Sequence, residues 1–371
     1  MQKISAFRFL PLSLALSALG ILLVPSCKKD CKTSSCFDRK TMLTDIGNQV
    51  ILPAFKEFAE KSLALRTQAA TFCAGPDAAG LESLQAAWKE TAYALKKVEL
   101  FKTGPVNDGL LYPSIDFWPV RTNDVNNYFN NTASITAAGL ATKGSTVKGS
   151  PVIEYQLFDR SGGNPAVLAR FTSAPDAAKR KDYLLALTEN LNATAQQLYD
   201  AWNTAYLPVF TGKDGTDIAS SSNGLVNEIL ALEDYVKGMK VGYPAGKKDG
   251  NLYPENVEAY ASGESVTFIT KNLDVLEAAF KGGTGQGFDD YLDFVGAEDN
   301  GTPLSQKILA QFAVCRAKCN AVTVPLSDAV TQQAPAVNGL YAELQKLLVY
   351  LKVDMVNNLG ITITLNDNDG D

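Results

Sequence analysis

The chain contains no histidine in 371 residues. That absence removes the side chain that most often serves as a general base near neutral pH, and the commonest nitrogen ligand for zinc. A Ser-His-Asp arrangement is excluded outright, and the usual hydrolytic zinc site is disfavoured. Cysteine is scarce as well, with six residues whose spacing fits no strong zinc pattern. The sequence also lacks a phosphate-binding glycine loop, a dinucleotide fingerprint and any short repeat. Excess positive charge is missing too: the formal net charge is −6. Nucleic acid is therefore excluded as a partner, because displacing its counterions needs concentrated Lys and Arg.

What is present is a globular composition, 46% apolar, on a chain long enough for two compact domains. The first 26 residues stand apart. Lys3 and Arg8 precede a nearly all-apolar run from Phe9 to Val24, a pattern read as a secretory signal and too short for a comfortable membrane span. Its ending, Leu23-Val24-Pro25-Ser26-Cys27, resembles a bacterial lipoprotein box loosened by Pro25, which would make Cys27 the lipidated first residue. The alternative is an ordinary secretory signal with Cys27 as a spare thiol. Removal of residues 1–26 leaves 32 basic against 40 acidic residues, a net charge of −8. Residues 27–36 form a polar tether in which Cys31 and Cys36 could close a small disulfide loop.

Beyond the tether the apolar spacing is helical almost throughout. Leu43, Ile46, Val50, Ala54 and Phe58 make the first stripe, with Pro53 expected to kink the helix rather than end it. The second is Leu81, Leu84, Trp88, Thr91, Leu95 and Val98, stopped at Gly104-Pro105. After a long irregular stretch to Gly149 comes Leu184, Leu187, Leu191, Ala195, Leu198 and Trp202. The stretch 211–223, rich in Gly, Ser, Thr and Asp, reads as a crossing to a second half. Four further stripes follow it. They begin Leu225-Ile229-Leu232-Val236-Met239 and Val266-Ile269-Leu273-Leu276-Phe280, and continue Leu304-Ile308-Phe312-Cys315-Cys319 and Leu340-Leu344-Leu347-Leu351-Met355. Cys315 and Cys319 lie on an apolar face, so core packing is preferred over a metal pair. The fold class expected is all-α, two helical bundles side by side, residues 37–210 and 211–371.

Three stretches carry chemistry. In Lys148-Gly149-Ser150-Pro151-Val152-Ile153-Glu154, Ser150-Pro151 reads as N-cap and first helical position, placing Glu154 about one turn in, near the positive end of the helix dipole. In Ile115-Asp116-Phe117-Trp118-Pro119, a carboxylate stands at the edge of an apolar wall, or else Trp118 plugs the core while Asp116 caps a turn. Residues 254–265 are acidic and serine-containing; Glu258, Tyr260, Ser262 and Ser265 form a candidate second polar wall, with helix-entry capping by the serines as the alternative.

These stretches together resemble the imelysin family of helical bacterial envelope proteins, whose signature is Gly-x-His-x-x-Glu. Gly149 and Glu154 match it, and Pro151 stands at the histidine position. Asp116-Phe117-Trp118-Pro119, Gly104-Pro105-Val106, residues 241–247 and residues 254–265 extend the match over about residues 44–360. The resemblance implies two helical-bundle domains and a ligand site drawn from Gly149, Pro151, Glu154, Asp116, Trp118, Glu258, Ser262 and Ser265, with Glu154, Asp116 and Glu258 as the metal-binding set. It implies two readings of function: metallopeptidase, and iron-regulated envelope protein linked to iron uptake. A metallopeptidase needs ligands, an open coordination position and a base. Without histidine an all-carboxylate set favours iron or another hard cation over zinc. The expectation is therefore a non-catalytic binding protein for a metal or metal chelate, lipid-anchored on the periplasmic face of the outer membrane; a structural or partner-binding envelope module is the remaining alternative. The C-terminal Asp367-Asn368-Asp369-Gly370-Asp371 reads as an acidic tail rather than a calcium loop.

Overall fold

The computed structural model describes residues 36–108 and 111–364. The signal segment 1–26, Cys27, Cys31, the rest of the tether before Cys36 and the acidic tail from Leu365 lie outside the described residues. Cys36 is disulfide-bonded, whereas Cys73, Cys315 and Cys319 are buried free thiols. The described residues from Phe37 onward form one compact unit.

The fold is all-α; among the described residues the strands are the two-residue pair Glu298–Asp299 and Thr302–Pro303, joined antiparallel. Helix α1 (Arg39–Ile46) starts where the Asp38 carboxylate accepts the Thr41 N–H, and passes through a π turn, Gly47–Ile51, into α2 (Leu52–Ala74). Pro53 falls in the first turn of α2, where its missing N–H is tolerated, so the rod is modified rather than ended. Helix α3 (Ala78–Val98) is capped by Asp77, whose carboxylate accepts the Gly80 N–H.

The stretch after Gly104 is a run of short helices: α4 (Pro105–Asp108), α5 (Tyr112–Ile115), α6 (Thr122–Asn131) and α7 (Ala137–Ala141). It delivers the chain to α8 (Ser150–Leu157), then α9 (Gly163–Thr172) and the long α10 (Ala177–Ala201). A π turn, Trp202–Tyr206, leads into α11 (Leu207–Gly212). Residues 213–220 connect it to α12 (Ser221–Tyr235), whose N-terminus is capped by Ser220 accepting the Asn223 N–H. The second half then holds α13 (Ser265–Lys281), α14 (Phe288–Val295), α15 (Leu304–Asn320), α16 (Leu326–Gln332), α17 (Ala334–Val349) and α18 (Val356–Leu359).

Helix α2 packs between α3 and α10, and α15 packs between α13 and α17. The two groups meet where α3 lies against α13. The predicted stripes of α2, α3, α10, α15 and α17 are all buried, Cys315 and Cys319 included. One stripe departs from expectation. Val236–Gly242 is a π turn rather than α-helix, and the wider winding leaves Met239 37% exposed while turning Lys240 inward to 1% exposure.

Candidate functional site

The centre of the molecule is a buried ionic cluster at the meeting of α3 and α13. Lys96, in the last turn of α3, is fully enclosed, and Glu99 just beyond that helix is 3% exposed. The Lys96 ammonium donates to the Asp116 carboxylate and to Glu258 Oε1, both at 2.5 Å. Asp116 is held at the end of α5, where it also accepts the Tyr112 hydroxyl. Lys240, turned inward by the π turn, donates to Glu99 Oε2 at 2.7 Å and to Asn272 Oδ1 at 2.8 Å, and pairs with Glu258 Oε2 at 2.9 Å. Asn272 of α13 donates in turn to the Lys96 carbonyl and to Glu99.

The cluster therefore holds three carboxylates, Glu99, Asp116 and Glu258, with ligand atoms within 4.8 Å of one another, and two ammonium groups among them. Burial works against the charge on Lys96, but the facing Asp116, Glu258 and Glu99 outweigh it and hold the ammonium well above the usual lysine range. Burial likewise opposes ionisation of Glu99, yet Lys240, Lys96 and Lys102 hold that carboxyl well below its ordinary value. Both groups stay charged at neutral pH.

Above the cluster opens a pocket of about 530 Å³, a size in the range that takes small organic ligands. Glu99, Asp116 and Glu258 form part of its floor, and Tyr112, Phe117, Trp118 and Tyr235 its aromatic walls. Trp118 stands edge-on to Tyr235, and its indole N–H donates to the Val257 carbonyl at 3.2 Å. Lys102 lies over the Tyr112 ring at 4.4 Å and the Tyr235 ring at 5.7 Å. Glu228, also in the lining, is pushed up to about 7 by burial, partly offset by Lys102.

The signature stretch lies behind this pocket. Gly149 precedes α8 with φ 94° and ψ 175°, Ser150 is the first helical residue, and Pro151 follows in the first turn. The indole N–H of Trp88 donates to the Ser150 carbonyl at 3.0 Å and ties α8 to α3. Glu154 is buried and accepts the Ser262 backbone N–H at 2.7 Å. Together with Pro151, Lys96, Asp116 and Glu258 it borders a void of about 10 Å³, too small for anything beyond a single water. Burial pushes the Glu154 carboxyl up to about 7 against the opposing Ser262 hydrogen bond.

A raised folded-state value for Glu154 stabilises the protein below the unfolded value near 4.5, and that contribution is lost as pH rises through about 7. Glu154→Gln keeps an acceptor for the Ser262 N–H and removes the titration. Urea unfolding between pH 5 and 8 is therefore expected to show a shallower decline in the variant, by roughly 2–3 kcal/mol across the range. Parallel wild-type and variant profiles would contradict the assignment.

Of the residues expected from sequence, Asp116 and Glu258 come together, and Trp118 stands on the wall above them. Glu154 does not join their ligand set; Glu99 completes it. Asp116 is the C-cap of α5, its backbone N–H donating to the Tyr112 carbonyl, and its carboxylate in addition takes Lys96 and the Tyr112 hydroxyl. Ser262 meets Glu154 through its backbone, and the Ser265 hydroxyl donates to the Glu258 carbonyl, so neither hydroxyl caps α13. Tyr260 is 42% exposed and stacked by Arg160. Sequence reasoning missed Lys96, Glu99, Lys240 and Asn272. The available signal was the opposite charge pair Lys96 and Glu99, three apart on the ridge beside the apolar stripe of α3.

The cluster does not fit a bare hard cation. Such an ion needs carboxylate oxygens at about 2.0–2.6 Å, and Asp116 Oδ2, Glu99 Oε2 and both Glu258 oxygens are already paired with the two ammonium nitrogens, whose positive charge repels a cation. What the geometry provides is an aromatic pocket over a charge-compensated floor.

A comparison with curated proteins finds no match. Solved structures share the fold. An imelysin-like protein from Psychrobacter arcticum 273-4 is 20% identical with a TM-score of 0.73, over 88% of this chain and 97% of that one. A protein described as an iron-regulated protein A precursor, from Parabacteroides distasonis ATCC 8503, is 17% identical with a TM-score of 0.72, over 89% of this chain and 97% of its own. The family model described as Imelysin matches residues 51–355, and the cluster and the signature stretch both fall inside that span. The chain belongs to the imelysin family.

Proposed function

We propose that this protein is a non-catalytic binding protein of the cell envelope that takes a metal in chelated form into the pocket walled by Tyr112, Phe117, Trp118 and Tyr235. The observation that carries the reading is the compensation of Glu99, Asp116 and Glu258 by two buried ammonium groups. A carboxylate held in such ion pairs is a poor ligand for a naked ion. A chelate brings its own donors and needs only aromatic faces, Lys102 and the polar floor to hold it. The iron-regulated name of the Parabacteroides distasonis protein makes ferric chelates the first to test. Anchoring through a lipidated Cys27, on the periplasmic face of the outer membrane, is part of the same proposal. No described helix is long and apolar enough to cross a membrane, which is compatible with an acyl anchor.

Titration with ferric citrate, with citrate alone as control, tests this. The chelate is expected to raise the melting temperature saturably and to quench tryptophan fluorescence, and to be recovered unchanged. Trp118→Ala is expected to weaken binding at least about tenfold, as loss of a pocket aromatic does. Failure of ferric citrate to shift the wild type beyond citrate alone would discard the chelate reading and leave a partner-docking module.

A further inference from the structure

A second groove, of about 620 Å³, lies on the other side of the α5 turn from the aromatic pocket, the two sharing only Pro113. Its chemistry is opposite. Among the described residues no carboxylate lines it; Lys143 and Lys148 do, with the hydroxyl residues Ser114, Ser145 and Thr194 and the amides Asn190 and Gln197. Lys148 is 7% exposed, and its ammonium donates to the Ala141 carbonyl, another lining residue, at 3.0 Å. Among the described residues it makes no ion pair, unlike the buried Lys96 and Lys240. Burial pushes it below the usual lysine range, and no neighbouring carboxylate offsets that. A buried cation with one carbonyl partner is costly unless an anion completes its shell.

We propose that this groove binds a phosphate monoester of a polyol, its phosphate paired with Lys148 and Lys143 and its hydroxylated body held by the Ser, Thr, Asn and Gln side chains. The groove is several times the volume of a phosphate group; beyond the two lysines its polar lining is hydroxyl and amide, the partners a sugar or polyol uses, and Leu111, Pro113, Ala141 and Ala193 give the carbon faces of such a body an apolar surface. Nothing in this assignment depends on the aromatic pocket or on a metal.

Calorimetric titration of the full chain with glucose 6-phosphate tests it, with inorganic phosphate and glucose as separate arms. Glucose 6-phosphate is expected to bind saturably, phosphate at least tenfold more weakly, and glucose not measurably. Lys148→Gln and Lys143→Gln are each expected to weaken binding at least tenfold, while Lys102→Gln, in the other pocket, leaves it unchanged. Lys143 is exposed, so its variant retains the fold even where Lys148→Gln does not. Equal affinity of wild type and Lys143→Gln, or equal binding of glucose and its phosphate, would overturn the assignment. Equal binding of inorganic phosphate would overturn the polyol component.

Discussion

Lys96→Met is expected to lower the unfolding free energy at pH 7 by about 3–5 kcal/mol, the range for removing one partner from a buried ion pair. Methionine fills most of the lysine volume, so the loss reports charge rather than a cavity. Removing the ammonium leaves Asp116 and Glu258 without the cation that contacts both at 2.5 Å, and the remaining ammonium of the cluster, Lys240, pairs with Glu99 and Glu258 but not with Asp116. Urea unfolding at pH 7 measures the loss. Adding Asp116→Asn to Lys96→Met is expected to recover part of the loss, because the double variant buries one charge fewer. A deficit below about 1 kcal/mol at pH 7 would mean the cluster is solvated, and the charge-compensation argument for binding without turnover would fail with it.

Gly149→Ala is expected to cost about 3 kcal/mol or more. With φ 94° and ψ 175° the residue sits in a region essentially reserved for glycine, where another residue carries about 1–3 kcal/mol of strain. A Cβ there would also lie 2.7 Å from the Ile115 carbonyl oxygen and 2.9 Å from its carbon. Those are backbone atoms and cannot rotate away. Ile115 immediately precedes Asp116, so relief of the clash displaces the carboxylate that holds Lys96, and the two variants are expected to be strongly non-additive. Gly144→Ala is the control: nothing lies within 4 Å of its Cβ position and its φ is −61°, so a change within about 0.5 kcal/mol is expected. A small effect at Gly149 would show that the α5 turn yields freely.

Much of the fold could be read from apolar spacing. Leu81 to Val98 on α3 and Leu340 to Met355 across α17 and its π turn are buried as the three-and-four rhythm predicts, since residues so spaced share one helix face. Met239 broke the rhythm because a π turn advances the chain by more residues per turn than the rule assumes, and Lys240 took the inward position. Asp116 and Glu258 were reached through family motifs rather than through their own chemistry. Lys96, Glu99 and Lys240 were passed over because a charge beside an apolar stripe is ordinarily solvated.

Sequence alone determined that this protein is helical and that histidine chemistry is closed to it. Helical periodicity is written within a few residues of each position, and a missing residue type is missing in every fold. Only the tertiary structure decided what the carboxylates do. Lys96 and Glu258 are 162 residues apart, and Lys240 and Glu99 are 141. Whether those charges meet, and whether water is excluded when they do, depends on α3 packing against α13, and no local pattern encodes that contact.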